Sequence, residues 1–136
     1  MIVTGGNPDA LAAPIGQFRH YTVVPDDHRL VYLSGQVGQD RDGVLAPGGC
    51  GAQTAQVFRN LELLLDELGA TPAHIVKLFT IVAGEGSFRE FAGVRTEVFG
   101  RWYPDGAYPA HSAFVAAELA APELLVEIEA VVAVPR

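Results

Sequence analysis

The stretch Leu124-Leu125-Val126-Glu127-Ile128-Glu129-Ala130-Val131-Val132-Ala133-Val134 reads as a β-strand carrying two carboxylates among apolar residues. Side chains alternate faces along a strand, so Glu127 and Glu129 share one side with Leu125, Val131 and Ala133. The other side, Leu124, Val126, Ile128, Ala130, Val132 and Val134, is wholly apolar. A strand of this kind is expected to be covered twice, by a core on one side and by another layer or subunit on the other. A carboxylate placed there has to be paired, hydrogen-bonded or raised in pKa. Raised in a cleft, it becomes a candidate general acid or base. Glu127 and Glu129 are therefore the first residues to consider for chemistry.

Working back from this strand, residues 112–118 form a second strand-like run, separated from it by Ala121-Pro122. Before that run lies a helical stripe of Phe88, Phe91, Ala92, Arg95, Val98, Phe99 and Trp102, opened by the capping-box pattern Ser87-Phe88-Arg89-Glu90 and ended by Pro104. Residues 75–82 read as a strand covered on both faces. Val57, Phe58, Leu61, Leu64, Leu65 and Leu68 mark an earlier helix over residues 51–68, with Gly69 as its stop. Residues 29–35 are β-rich, Asp42-Gly43 is a hairpin turn before Val44-Leu45, and residues 18–24 form a short strand closed by Pro25-Asp26-Asp27. Residues 1–16 read as an irregular or weakly paired lead-in. The order of strands, helix, strand, helix, strand, strand gives an α+β class, one mixed sheet with two helices packed on one face, in a single domain over residues 1–136.

Hydrophobic residues make up 49% of the 136 and charged residues only 18%. That balance leaves apolar surface for a subunit interface, so an oligomer is expected. The net charge is −7 and the nine Lys and Arg residues are scattered, which argues against nucleic acid and against an anionic membrane surface. Cys50 is the only cysteine, so neither an intrachain disulfide nor a thiolate-rich metal site is available. His20, His28 and His74 lack metal-ligand spacing, and no metal is expected. No leader-like start and no run of about 18 apolar residues is present; the expectation is a soluble, cytoplasmic protein.

Several motifs in this order resemble the RidA/YjgF family. They are Ala13-Pro14-Ile15-Gly16, Leu33-Ser34-Gly35-Gln36-Val37, Gln53-Thr54-Ala55-Gln56-Val57-Phe58-Arg59-Asn60-Leu61, Ile75-Val76-Lys77, Pro109-Ala110-His111-Ser112 and Val126-Glu127-Ile128-Glu129-Ala130. The resemblance covers nearly the whole chain. It implies a chorismate-mutase-like α+β fold and a homotrimer whose sheets form an inner barrel, with ligand clefts between neighbouring subunits. It also implies hydrolysis of reactive enamines and imines to 2-keto acids and ammonia, without a cofactor.

Carried over residue by residue, the resemblance matches Ser34 to a cleft hydroxyl and Glu127 to the glutamate that positions or activates water. The family's arginine, which grips a substrate carboxylate with its planar fork, is replaced by His111. A cleft tyrosine is replaced by Phe18, and an asparagine on the second helix by Arg95. Backbone groups around Gly35 and Ala113 would hold the substrate. Glu129 is expected to be structural, paired with a basic residue or a backbone donor.

Two readings of His111 stand. Glu127 nearby raises its pKa and keeps it charged, or it fills a remodelled, non-catalytic pocket. Arg95 likewise either reaches the cleft and restores the missing cation, or snorkels to solvent or bridges subunits from the edge of the stripe. Two functions follow. One is an enzyme, a RidA-like hydrolase acting on the C–N bond of an enamine, imine or similarly activated metabolite, with Glu127 directing water. The other is a non-catalytic trimeric protein that binds a metabolite in the same clefts.

Overall fold

The computed structural model describes residues 2–136. Its elements are β1 (Thr4–Gly6), β2 (Tyr21–Val23), β3 (His28–Val37), α1 (Cys50–Glu67), a single 3-10 turn (Pro72–His74), β4 (Ile75–Ala83), α2 (Ser87–Trp102), β5 (Ala110–Ala116) and β6 (Val126–Pro135). The four long strands form one mixed sheet in the order β3-β6-β4-β5. β6 pairs antiparallel with β3 and β4, while β4 and β5 run parallel, joined by α2 as the crossover. The short strands β1 and β2 form a separate antiparallel pair.

Both helices lie on the face of the sheet that carries the even-numbered residues of β6. Val126, Ile128, Ala130, Val132 and Val134 are buried there, with Leu78 and Val82 of β4, Val57, Phe58, Leu61 and Leu65 of α1, and Phe91 and Phe99 of α2. Phe58 meets Phe99 and Trp102 edge-on, closing the seam between the helices. α1 ends where Gly69 takes φ +65. The Ala70 N–H bonds the Leu65 carbonyl and the Gly69 N–H bonds that of Asp66, which pairs the last carbonyls of the helix.

Three local expectations are corrected. Ser87 does not cap α2; Gly86, at φ +77, precedes the helix without a side-chain cap. The Glu90 carboxylate instead accepts from the Gly51 N–H at the start of α1, 3.1 Å away, tying the two helix N-termini together. The Asp42-Gly43 turn forms around the Asp40 carboxylate, but its hairpin shrinks to one bridge, Gln39 to Leu45. The decisive strand begins at Val126 rather than Leu124, because the Leu125 N–H is taken by the Gln53 side chain and its carbonyl by the Ala83 N–H.

The second cover expected for this strand is not supplied within one chain. On the sheet's other face lie Leu30, Tyr32 and Ser34 of β3, Lys77, Phe79 and Ile81 of β4, Ser112 and Phe114 of β5, and Glu127, Glu129 and Val131 of β6. Within one chain no helix covers them: Tyr32 is 73% exposed and Phe114 45%.

Candidate functional site

The predicted site residues separate into two groups on opposite faces of the sheet. The first group surrounds a cavity of about 200 Å³ lined by Ile15, Gly16, Phe18, Phe88, Arg95, His111 and Ala113. The cavity lies between the N-terminal lead-in, α2 and the edge strand β5. Main-chain and side-chain bonds set this geometry. The Arg19 N–H bonds the Pro109 carbonyl and its guanidinium the Tyr108 carbonyl, fastening the lead-in beside the start of β5. Gln17 adds a second tie, accepting from the Thr96 hydroxyl of α2 and donating to the Tyr108 hydroxyl.

His111 stands opposite Leu78 in the parallel β4–β5 register, so its ring points to the helix side. There it packs edge-on to Phe91 and shares a 2.8 Å hydrogen bond with the Thr80 hydroxyl through Nε2. Burial, reinforced by the positive charges of Arg95 and Lys77, pulls its pKa down to about 3. The imidazole is therefore neutral near pH 7. Within one chain Glu127 does not stand beside His111, since it lies on the other face of the sheet.

Arg95 lies over the Phe91 ring, 5.1 Å from its centroid, and forms part of the cavity wall. Burial lowers its pKa, partly offset by Tyr108, yet a guanidinium stays protonated at neutral pH. Among the described residues it has no carboxylate partner within ion-pair distance. Its Nε and the Nδ1 of His111 are buried without a hydrogen-bond partner.

The second group is Ser34, Gly35 and Glu127. Glu127 stands opposite Ile81 and Val37 on the uncovered face. Its side chain lies across Gly35, where a β-carbon would come within 2.7 Å of the carboxyl carbon, so a larger residue there would displace the Glu127 carboxylate. The strand register shifts between Leu33 and Gln36 at this point. Two side chains of α1 fix this corner. Gln53 donates to the Glu123 carbonyl and accepts from the Leu125 N–H, while Asn60 donates to the carbonyls of Val37 and Gln39. Glu129, expected to be paired, is exposed beside Phe79 and makes no ion pair among the described residues.

Sequence reasoning missed Ile15, Gly16 and Phe88 as wall residues and Thr80 as the group that fixes His111. Phe88 sits on the apolar stripe of α2 and so reads as core, yet it is 39% exposed at the cavity. Thr80 is a lone hydroxyl in an apolar run, a signal that could have been used. Among the described residues no cluster of His, Cys, Asp or Glu could hold a metal ion, and no helix is long and apolar enough to cross a membrane.

A family model described as Endoribonuclease L-PSP matches residues 9–134. Among solved structures, YyfB from Yersinia pestis, described as a protein of unknown function of the conserved Rid family, is 32% identical. The match covers 98% of this chain and 100% of that one, with a TM-score of 0.85. A Mycobacterium tuberculosis member of the YjgF/YER057c/UK114 family is 32% identical over 77% of this chain and 79% of its own, with a TM-score of 0.58. Yeast Mmf1, 23% identical over 96% of this chain and 97% of its own, shares the fold with a TM-score of 0.67. A comparison with curated proteins finds no match.

Proposed function

This chain belongs to the Endoribonuclease L-PSP family, the RidA/YjgF family that its motifs resemble, and from that premise we propose that it is a small-molecule hydrolase of activated C–N bonds whose cleft is completed by a neighbouring copy. One observation carries this reading. The residues matched to the family's cleft lie on opposite faces of one sheet, and the face holding Ser34, Gly35 and Glu127 is uncovered, with Leu30, Tyr32 and Phe114 exposed on it. One chain cannot close such a site on itself. A neighbour whose β5 edge meets that face brings its own Arg95 and His111 towards Glu127. Closed symmetry of this kind is the common solution for a homo-oligomer, and a homotrimer is the form the family resemblance implies.

In the proposed reaction the substrate's imine carbon is the electrophile. Glu127 accepts a proton from water as the water oxygen bonds to the carbon of the protonated imine, giving a neutral carbinolamine. Glu127 then passes that proton to the amine nitrogen, and as the C–N bond breaks and ammonia leaves, the hydroxyl gives its proton back to Glu127 and becomes the C=O. The protein supplies position and a base, so no cofactor is required. An RNA substrate would need several phosphates neutralised. The net charge of −7 and the single cation at the cavity support a small molecule instead.

A second reading has its own support. Neutral His111 cannot reproduce a guanidinium fork, which favours a protein of the same assembly that binds a metabolite and leaves it unchanged. Hydrolysis of 2-iminopropionate, measured against the uncatalysed rate, separates the two. Acceleration that falls about 100-fold or more in Glu127→Gln, with unchanged melting temperature, is the expected result. An unaccelerated rate rules out this imine as substrate, and full activity in Glu127→Gln removes the role given to that residue.

A further inference from the structure

Lys77 is the only lysine in the chain, and it stands in an otherwise apolar stretch of β4, Ile75-Val76-Lys77-Leu78-Phe79. Its side chain shares the open face of the sheet with that of Glu129. Both residues are exposed, and among the described residues neither takes part in an ion pair. They flank a hollow of about 260 Å³ that Phe79 and Val131 also line. We infer that these two charges form a self-complementary lock between copies of the chain, Lys77 of one pairing with Glu129 of the next across this hollow. The inference rests on the reading above only in taking a second copy as the cover of this face; it does not require hydrolysis.

Charge and cover together ask for a partner. The face carries Lys77 and two glutamates, Glu127 and Glu129, among Leu30, Tyr32, Phe79, Val131 and Phe114. Whatever covers those apolar groups also takes Lys77 out of water, and a buried ammonium without a carboxylate is costly. A second copy meets the need, because each copy brings one charge of each sign to the same surface. In a closed ring every copy gives its Lys77 to one neighbour and receives the lysine of the other on Glu129, so neither charge is left over. Matched charges of this kind fix the register of an interface and reject wrong ones.

The hollow selects Glu129 over Glu127. Glu129 lines it, whereas the Glu127 side chain lies across Gly35, on the β3 side of β6 and away from β4. Lys77 is one strand in from the β5 edge that the proposed neighbour presents. That separation of about 4.8 Å is within reach of a flexible four-carbon stem. With Glu129 held by a neighbour's lysine, Glu127 is left as the free carboxylate of the face. The pairing thus gives the two glutamates of β6 different tasks, one in assembly and one in the cleft.

Sedimentation velocity over a dilution series of the intact protein tests the lock. Lys77→Glu and Glu129→Lys each set like charges against each other, and each should raise the dissociation constant of the assembly about 100-fold or more. Circular dichroism should stay that of the wild type, because both positions are exposed in one chain. Mixed in equal amounts, the two reversed chains should recover a substantial part of the assembly, since contacts between unlike chains again join lysine to glutamate. Recovery in the mixture places the pair between copies, because neither reversed chain holds both charges at these positions. A double reversal that assembles while the mixture does not overturns the lock in favour of a pair within one chain. Assembly indifferent to both reversals overturns the pair altogether. The single ε-amine gives a readout that needs no variant: acylation of Lys77, followed by mass spectrometry, should be slow in the assembly and fast at dilutions that dissociate it. Equal rates in the two states overturn the lock. A wild type that sediments as a single chain at every concentration overturns the covering neighbour and the lock with it. Reversals that behave as expected in a protein without imine hydrolysis uphold the lock and remove only the enzyme.

Discussion

The two faces of the sheet both carry large apolar residues and meet different fates. On one, Val126, Ile128 and Val132 disappear under two helices. On the other, Tyr32, Val131 and Phe114 have no intrachain cover, and two carboxylates stand among them. The first face is a finished core whose stability a single chain provides. The second is a surface that the chain leaves uncovered and that the proposed assembly would cover. The candidate site straddles the two, with Arg95 and His111 behind the sheet and Glu127 in front of it.

The contrast is sharpest for large apolar groups. Phe58→Ala, in the seam between the helices, should lower unfolding free energy by about 3–5 kcal/mol in a denaturant titration. A loss below about 1 kcal/mol would mean that the covered face is not the stability core. Gln53→Ala tests the link between the faces. It strips a partner from the Leu125 N–H at the start of β6, and should destabilise by about 1–3 kcal/mol and lower activity as Glu127 loses its fixed position. Unchanged activity would show that Glu127 does not depend on this clamp.

His111 makes the covered face sensitive to pH. Its folded pKa, pulled down to about 3 by burial, Arg95 and Lys77, lies below the ordinary 6.5. The folded state thus binds fewer protons than the unfolded one between these values. Its contribution to stability is complete above about pH 6.5 and is lost progressively as pH falls towards 3. Relative to His111→Gln, the wild type should lose up to about 1.4 kcal/mol per pH unit across that window. Parallel stability curves for the two proteins would place a charged or solvated imidazole at 111. The smallest effect on the chain itself belongs to the open face. Tyr32→Ser should change single-chain stability by less than about 0.5 kcal/mol while weakening self-association in sedimentation velocity. A large loss of stability with intact assembly would invert the assignment of the faces.

Much of this was legible in the sequence because the elements are strongly periodic. The alternation around Glu127 fixed which of its neighbours are buried, and the stripes of α1 and α2 marked the helices to within a residue or two. The capping box failed because Glu90 serves the other helix, a tertiary choice that spacing along α2 does not record. Phe88 failed for a similar reason: a stripe at helical spacing cannot tell a core position from the wall of a cavity built by a distant loop. The placement of His111 and Glu127 on opposite faces needed the register of β4 with both β5 and β6. Motif order places the two residues in one cleft without saying which chain provides each.

Mixed assemblies test the central claim most directly. Glu127→Gln and Arg95→Gln chains, each impaired alone in imine hydrolysis, are co-expressed under two affinity tags and purified as assemblies containing both. If the cleft takes its two halves from two copies, some clefts in the mixture pair an intact Glu127 with an intact Arg95, and activity should return to a substantial fraction of the wild-type value. Mixed assemblies no more active than their parents would contradict the account.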